Sequence, residues 1–225
     1  MTITNGGLVS NDYDASIGNK SGSTGTAIVD GIGSTWENRD GLHVGREGNG
    51  TLMITNGGLV SNGNDAFIGT ISGSTGTVIV DGIGSIWENR GSLYVGREGD
   101  GTLDITNGGF VSVAGTLTTN YDGGYDSFVK MSQGGMLALY GDADGSLADF
   151  LALTEGNLPI RWYWEGLGWV DIEDATYGAT YGVDYTLSKG DGNLAGYTIL
   201  TVPEPTTLTL LVMGGLVVLR CRKGQ

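Results

Sequence analysis

Cysteine is nearly absent from this 225-residue chain: the one thiol, Cys221, stands among the last five residues. No internal disulfide can form, so the folded part must be held by packing and hydrogen bonds. Positive charge is also scarce, with 11 Lys and Arg against 25 Asp and Glu and a formal net charge of −14. So little basic surface disfavours nucleic acid as a partner, because phosphates would go largely unneutralised. No apolar run reaches the roughly 20 residues that cross a bilayer comfortably. Met1 to Asn5 carry neither a basic nor an apolar leader region, although an acidic, polar composition is common among secreted proteins. The expectation is a natural start further upstream. What is abundant is glycine, 43 residues in all, which excludes helix as the dominant element.

The glycines fall into a repeat. Ile3-Thr4-Asn5-Gly6-Gly7 returns as Ile54-Thr55-Asn56-Gly57-Gly58 and as Ile105-Thr106-Asn107-Gly108-Gly109, a period of 51 residues. Trp36-Glu37-Asn38-Arg39 returns as Trp87-Glu88-Asn89-Arg90 at the same spacing, and Gly45-Arg46-Glu47-Gly48 as Gly96-Arg97-Glu98-Gly99. Each unit divides again into similar halves of about 25 residues. Aligned by halves, Ile3, Val29, Ile54, Val80 and Ile105 form one aliphatic column. Ala27, Leu52, Val78 and Leu103 form a second, and Ile17, Val44, Ile68 and Val95 a third. Period-2 alternation with β-branched residues reads as strands, and the Gly, Asn and Asp clusters between them as turns. A half-repeat that cannot bury its own apolar face but keeps register is one coil of a solenoid.

The predicted fold is therefore all-β: a right-handed parallel β-helix of about four coils over residues 1–112, two coils per unit. A small β cap domain over 113–202 and a tail over 203–225 with one short hydrophobic helix complete the chain. Asn11, Asn38, Asn62 and Asn89 form a further column, read either as an amide ladder or as turn-starting residues that tolerate left-handed backbone angles. Val113 stands where that column would continue, which sets the expected end of the repeats. Beyond it, Met136 to Tyr140, Ile160 to Trp164 and Tyr197 to Val202 read as strands. The run Ile160-Arg161-Trp162-Tyr163-Trp164 reads as core, with a sugar-stacking platform as the alternative.

The tail has three parts. Pro203-Glu204-Pro205 breaks any helix entering from before, Thr206 to Leu219 carries no charge, and Arg220, Arg222 and Lys223 follow. The prolines set the segment off and the basic end favours a cytoplasmic location for it. A buried core helix is the alternative on length alone, but a core helix has no need of such abrupt flanks. This order of motif, short apolar span and basic end resembles the PEP-CTERM sorting signal of exported bacterial proteins. The resemblance implies export, transient inner-membrane anchoring through residues 206–219, and cutting near Pro203-Glu204-Pro205 by an exosortase-type membrane protease. The repeat is similar to the autotransporter-type, PEP-CTERM-associated β-strand repeats of bacterial surface proteins. Gly101-Thr102-Leu103-Asp104-Ile105-Thr106-Asn107-Gly108-Gly109, Gly84-Ser85-Ile86-Trp87 and Leu93-Tyr94-Val95-Gly96 carry that similarity. It implies a stalk or adhesive surface and brings no reaction with it.

Chemistry is sparse. The one histidine, His43, has Tyr94 as its repeat equivalent, and without it no Ser, His and Asp set can be assembled. Asp142-Ala143-Asp144-Gly145 with Asp149 faintly resembles a calcium loop but lacks the later ligands. The reading is a non-enzymatic surface or extracellular-matrix protein with no cofactor, no catalytic residue and no metal ligand. Its partners are the exosortase-type protease, the membrane through the tail, and extracellular polysaccharide. Two alternatives stay open. Thr26, Thr51, Thr77 and Thr102 form a threonine row of the kind that suits ice, although Asp30 and Asp81 interrupt the neighbouring row of Thr4, Thr55 and Thr106. A β-helical polysaccharide lyase is the other, with too few clustered carboxylates and lysines to favour it.

Overall fold

The computed structural model describes residues 1–121, 126–156, 160–164 and 167–203. Three strands make one turn of a parallel β-solenoid, and about five turns stack. The first strand of a full turn has seven residues, as in Asn49–Thr55. The second has four, as in Leu59–Asn62, and the third has three, as in Ala66–Ile68. Like strands pair with like in parallel, so three sheets run along the axis. One short helix, Leu147–Leu151, is capped by Ser146, whose side chain accepts from the Asp149 backbone N–H.

Register follows the aliphatic columns. Val29 pairs with Ile54, Ile54 with Val80 and Val80 with Ile105. Val44, Ile68 and Val95 align in the same way in the third sheet. All of these side chains are buried. Each contributes roughly 1.5–3 kcal/mol by leaving water. A slip by one residue would turn a whole set outward, so the alternating pattern itself holds the register.

Two positions show why glycine is so frequent. A Cβ on Gly76 would land against the carbonyl oxygen of Val44, because the chain turns tightly from the third sheet into the first strand of the next coil. At the corner after the first strand of the preceding coil, Asn56 and Gly57 both take left-handed angles, φ 52° and 89°. The left-handed asparagines of the repeat are thus Asn5, Asn56 and Asn107, not the Asn11 column. That column lies at strand ends and faces inward. Asn11 pairs with Asn38, Asn38 with Asn62 and Asn62 with Asn89.

Its amides are satisfied in two ways. Asn11 donates to the Asn38 side-chain oxygen, while Asn38 donates to the Gly41 carbonyl at 2.6 Å and Asn62 to the Asn64 carbonyl at 2.5 Å. The indole Nε1 of Trp36 donates to Asn11 Oδ1 at 2.9 Å, and that of Trp87 to Asn62 Oδ1 at 3.0 Å. The indole that would serve Asn89 belongs at position 111 of the next coil, which is valine. Asn89, only 2% exposed, therefore has no indole donor for Oδ1, and its Nδ2 is likewise unpaired among the described residues.

The ladders do not stop at Ser112. The strand Phe110–Val113 pairs in parallel with Gly135–Tyr140, and Val113 replaces asparagine in the inward column because a buried valine fits there. The solenoid therefore has about five turns rather than four, and the expected boundary at 112 falls inside a strand. Closure comes from antiparallel strands. Tyr197–Val202 lies along Gly135–Tyr140 and is flanked by Thr186–Lys189, while Gly168–Asp171 folds back on Ile160–Trp164. Phe150, Ile172, Tyr185 and Leu187 are buried over the last turns, as the end of a solenoid requires.

Two predictions follow from the stacking. Inserting one whole 51-residue unit should keep a cooperative melt and a β-type circular dichroism spectrum, whereas deleting ten residues within a unit should abolish both; equal tolerance would exclude a register-kept stack. Trp87→Phe should destabilise by about 1–3 kcal/mol by orphaning Asn62 Oδ1, and Asn89→Val should stabilise by about 1 kcal/mol, both read from chemical denaturation.

Candidate functional site

The Pro203-Glu204-Pro205 motif follows directly on the last described strand. Val202 closes the last strand, held by the Gly134 N–H donating to its carbonyl at 2.6 Å, and Pro203 follows as the last described residue. Proline there lacks the N–H that a ladder bond at that position would need. Glu204, Pro205, the span 206–219 and Arg220, Arg222 and Lys223 lie outside the described residues. Among the described residues no helix is long and apolar enough to cross a membrane.

The other residues singled out by sequence are scattered over the solenoid and its end. Asp142 and Asp144 face Lys189 at 3.0 and 3.6 Å, and Asp149 accepts from the Ser146 hydroxyl at the helix start. Hydrogen bonds and coulombic attraction from the two carboxylates raise the Lys189 pKa. Among the described residues no three His, Cys, Asp or Glu come together as metal ligands would.

The threonines Thr26, Thr51, Thr77 and Thr102 do align in one row, which ends at Phe128. In the neighbouring row Thr55 Oγ1 and the Asn56 amide each donate to Asp30 at 2.7 Å. These two bonds hold the Asp30 carboxyl below the usual carboxylate range. That row is therefore already hydrogen-bonded to itself.

Of the aromatic run, Trp162 turns inward and is buried, its Nε1 donating to the Tyr177 carbonyl at 3.2 Å, while Tyr163 faces out beside Trp169. The cations nearby are engaged. Arg161 lies over the Phe128 ring and pairs with Asp126 and Asp171, and Lys130 lies between Phe128 and Trp169.

Two features were not read from the sequence. On the third sheet His43, Phe67 and Tyr94 stack face to face, 4.7 and 5.0 Å between centroids, and Tyr121 meets Tyr94 edge-on. The shared column position of His43 and Tyr94 was the available signal. His43 Nδ1 lies 3.2 Å from Thr70 Oγ1, and Nε2 lies 4.0 Å from Asp14. Burial first, then Arg46 and Arg97, push its pKa down, and Asp14 only partly opposes them. The second feature is a groove of about 740 Å³ on the outer face of the second sheet, walled by Asn193, Leu194 and Tyr197 of the closing segment. Its floor follows the outward positions Ile86, Phe110 and Met136, which share one register row. The overhanging wall has no sequence signal, since it depends on where the antiparallel strand places its approach.

Comparison with known proteins bears on the tail and the repeats separately. Residues 201–223 match the PEP-CTERM protein-sorting motif. An uncharacterized lipoprotein, YdeK of Escherichia coli (strain K12), is 45% identical over 74 residues, which is 33% of this chain. That stretch spans only 5% of the length of YdeK. No solved structure matches the chain.

The aromatic stack yields a pH prediction. Because the folded state depresses the His43 pKa below its ordinary 6.5, the unfolded chain binds the proton first as pH falls. Stability should be complete above pH 6.5 and decline below it until the depressed folded value is passed. His43→Phe should flatten that part of the profile in denaturant titrations at stepped pH; an unchanged slope would exclude His43 as its source.

Proposed function

We propose that the chain is an exported bacterial surface or extracellular-matrix protein, whose β-solenoid is a stiff spacer or adhesive face sorted by an exosortase through its tail. The observation that carries this is the sorting motif at residues 201–223, attached directly to the closing strand of the solenoid. Release by cutting near Pro203-Glu204-Pro205 would leave every strand of the described residues intact, because the last of them ends at Val202. The tail anchors the chain transiently in the inner membrane before that cut. Similarity of part of the chain to a protein described as a lipoprotein is in keeping with an envelope location. The repeats are read as autotransporter-type surface repeats on their own residue pattern, together with their kept register. The role is non-enzymatic, in keeping with a His43 stacked against Phe67 and with Asp142 and Asp144 held by Lys189. The partner outside the cell is extracellular polysaccharide.

Replacing Pro203-Glu204-Pro205 by alanines in a host with an exosortase should leave an unprocessed form in the membrane fraction. Mass spectrometry of the recovered C-terminus decides this, and normal release of the variant would refute the sorting reading. The released protein should show no turnover of acidic or neutral polysaccharides.

A further inference from the structure

We propose that the groove on the second sheet binds an uncharged polysaccharide chain, with sugar rings packed on Phe110 and Tyr197 and hydroxyls met by Glu88, Arg90 and Asn193. This deepens the surface-protein reading and rests on it for the encounter with glycans. A groove of about 740 Å³ lies within the range of small-ligand sites, and its lining has their composition, mostly apolar with a few polar groups.

The chemistry of the lining narrows the ligand. Strands Ile86–Asn89 and Phe110–Val113 are paired on both sides, so the groove offers no free backbone edge for an extended peptide. Recognition must go through side chains. Glu88 in the lining and the net charge of −14 oppose an acidic polymer. What remains is a neutral ligand with apolar faces and a hydroxyl rim. A pyranose has both. Aromatic and thioether side chains suit the C–H faces, while a carboxylate that only accepts, a guanidinium that only donates and an amide that does both suit hydroxyls.

The surface beyond the groove points to a polymer rather than a single sugar. Ile83 at the rim is 88% exposed on a tight turn, and Ile32 at the corresponding turn two coils earlier is 89% exposed. These two side chains lie in line and extend the apolar surface of the rim along the solenoid. The floor row also continues past Ile86 to Leu59 in the same direction. A chain seated under Tyr197 would run along the solenoid axis over these residues.

The test is affinity electrophoresis of the full chain, kept in mild detergent, through gels containing hydroxyethylcellulose, galactomannan or dextran, with alginate as the acidic comparison. At least one neutral polymer should retard the protein. Phe110→Ala should weaken the apparent affinity roughly three- to tenfold, as expected for loss of one aromatic contact. Asn193→Ala, on an exposed turn where folding is not at stake, should weaken it in the same direction. Tyr163→Ala on the first sheet should not. No retardation by any neutral polymer, retardation by alginate alone, or equal retardation of the Phe110 and Asn193 variants would overturn the proposal. Binding is read on purified protein, so failure here leaves the sorting reading standing, and failed sorting leaves this result intact.

Discussion

Everything in this molecule depends on like residues stacking on like at strand spacing, about 4.8 Å per coil. Inside the solenoid that rule is enforced by burial: Ile54 sits between Val29 and Val80, and Leu52 between Ala27 and Val78. No disulfide shares the task, and each coil touches only its neighbours, so stability accumulates coil by coil. The same rule propagates polar pairs, which is why one Trp-to-Asn bond appears twice, from Trp36 and from Trp87. Where position 111 becomes valine, the bond cannot be made and Asn89 is left unpaired.

Outward positions are free of that constraint, and the three faces have diverged. The first sheet carries threonine rows and the hydrogen-bonded Asp30 row. The third carries stacked rings, whose spacing follows from the coil repeat rather than from any special attraction. The second combines an apolar row with an overhang from the closing segment, and so forms a groove in which polar groups lie beside aromatic surface. Function in such a fold is a matter of which face receives a wall.

Much of this was legible in the residues themselves. The aliphatic columns and the outward threonine row follow from period 2 and the 51-residue repeat, because register turns a one-dimensional pattern into a stack, and the strands ending at Tyr140, Trp164 and Val202 were legible as local strand patterns. Two things were not legible. Val113 suggested an end to the repeats, yet an inward column position accepts valine as readily as a satisfied asparagine, so the solenoid continued. The groove was hidden for a different reason. Its wall is brought in by a chain that returns antiparallel from about 60 residues downstream of Met136, and no local pattern specifies that pairing.

The tail leaves from a strand paired along its whole length, Val202 opposite Gly135 through Tyr197 opposite Tyr140. A tension applied through Pro203 along the strand axis therefore acts on all six residue pairs together, in shear, instead of peeling them one after another. The tether therefore loads the closing strand in its mechanically stronger geometry, across the solenoid axis rather than along it.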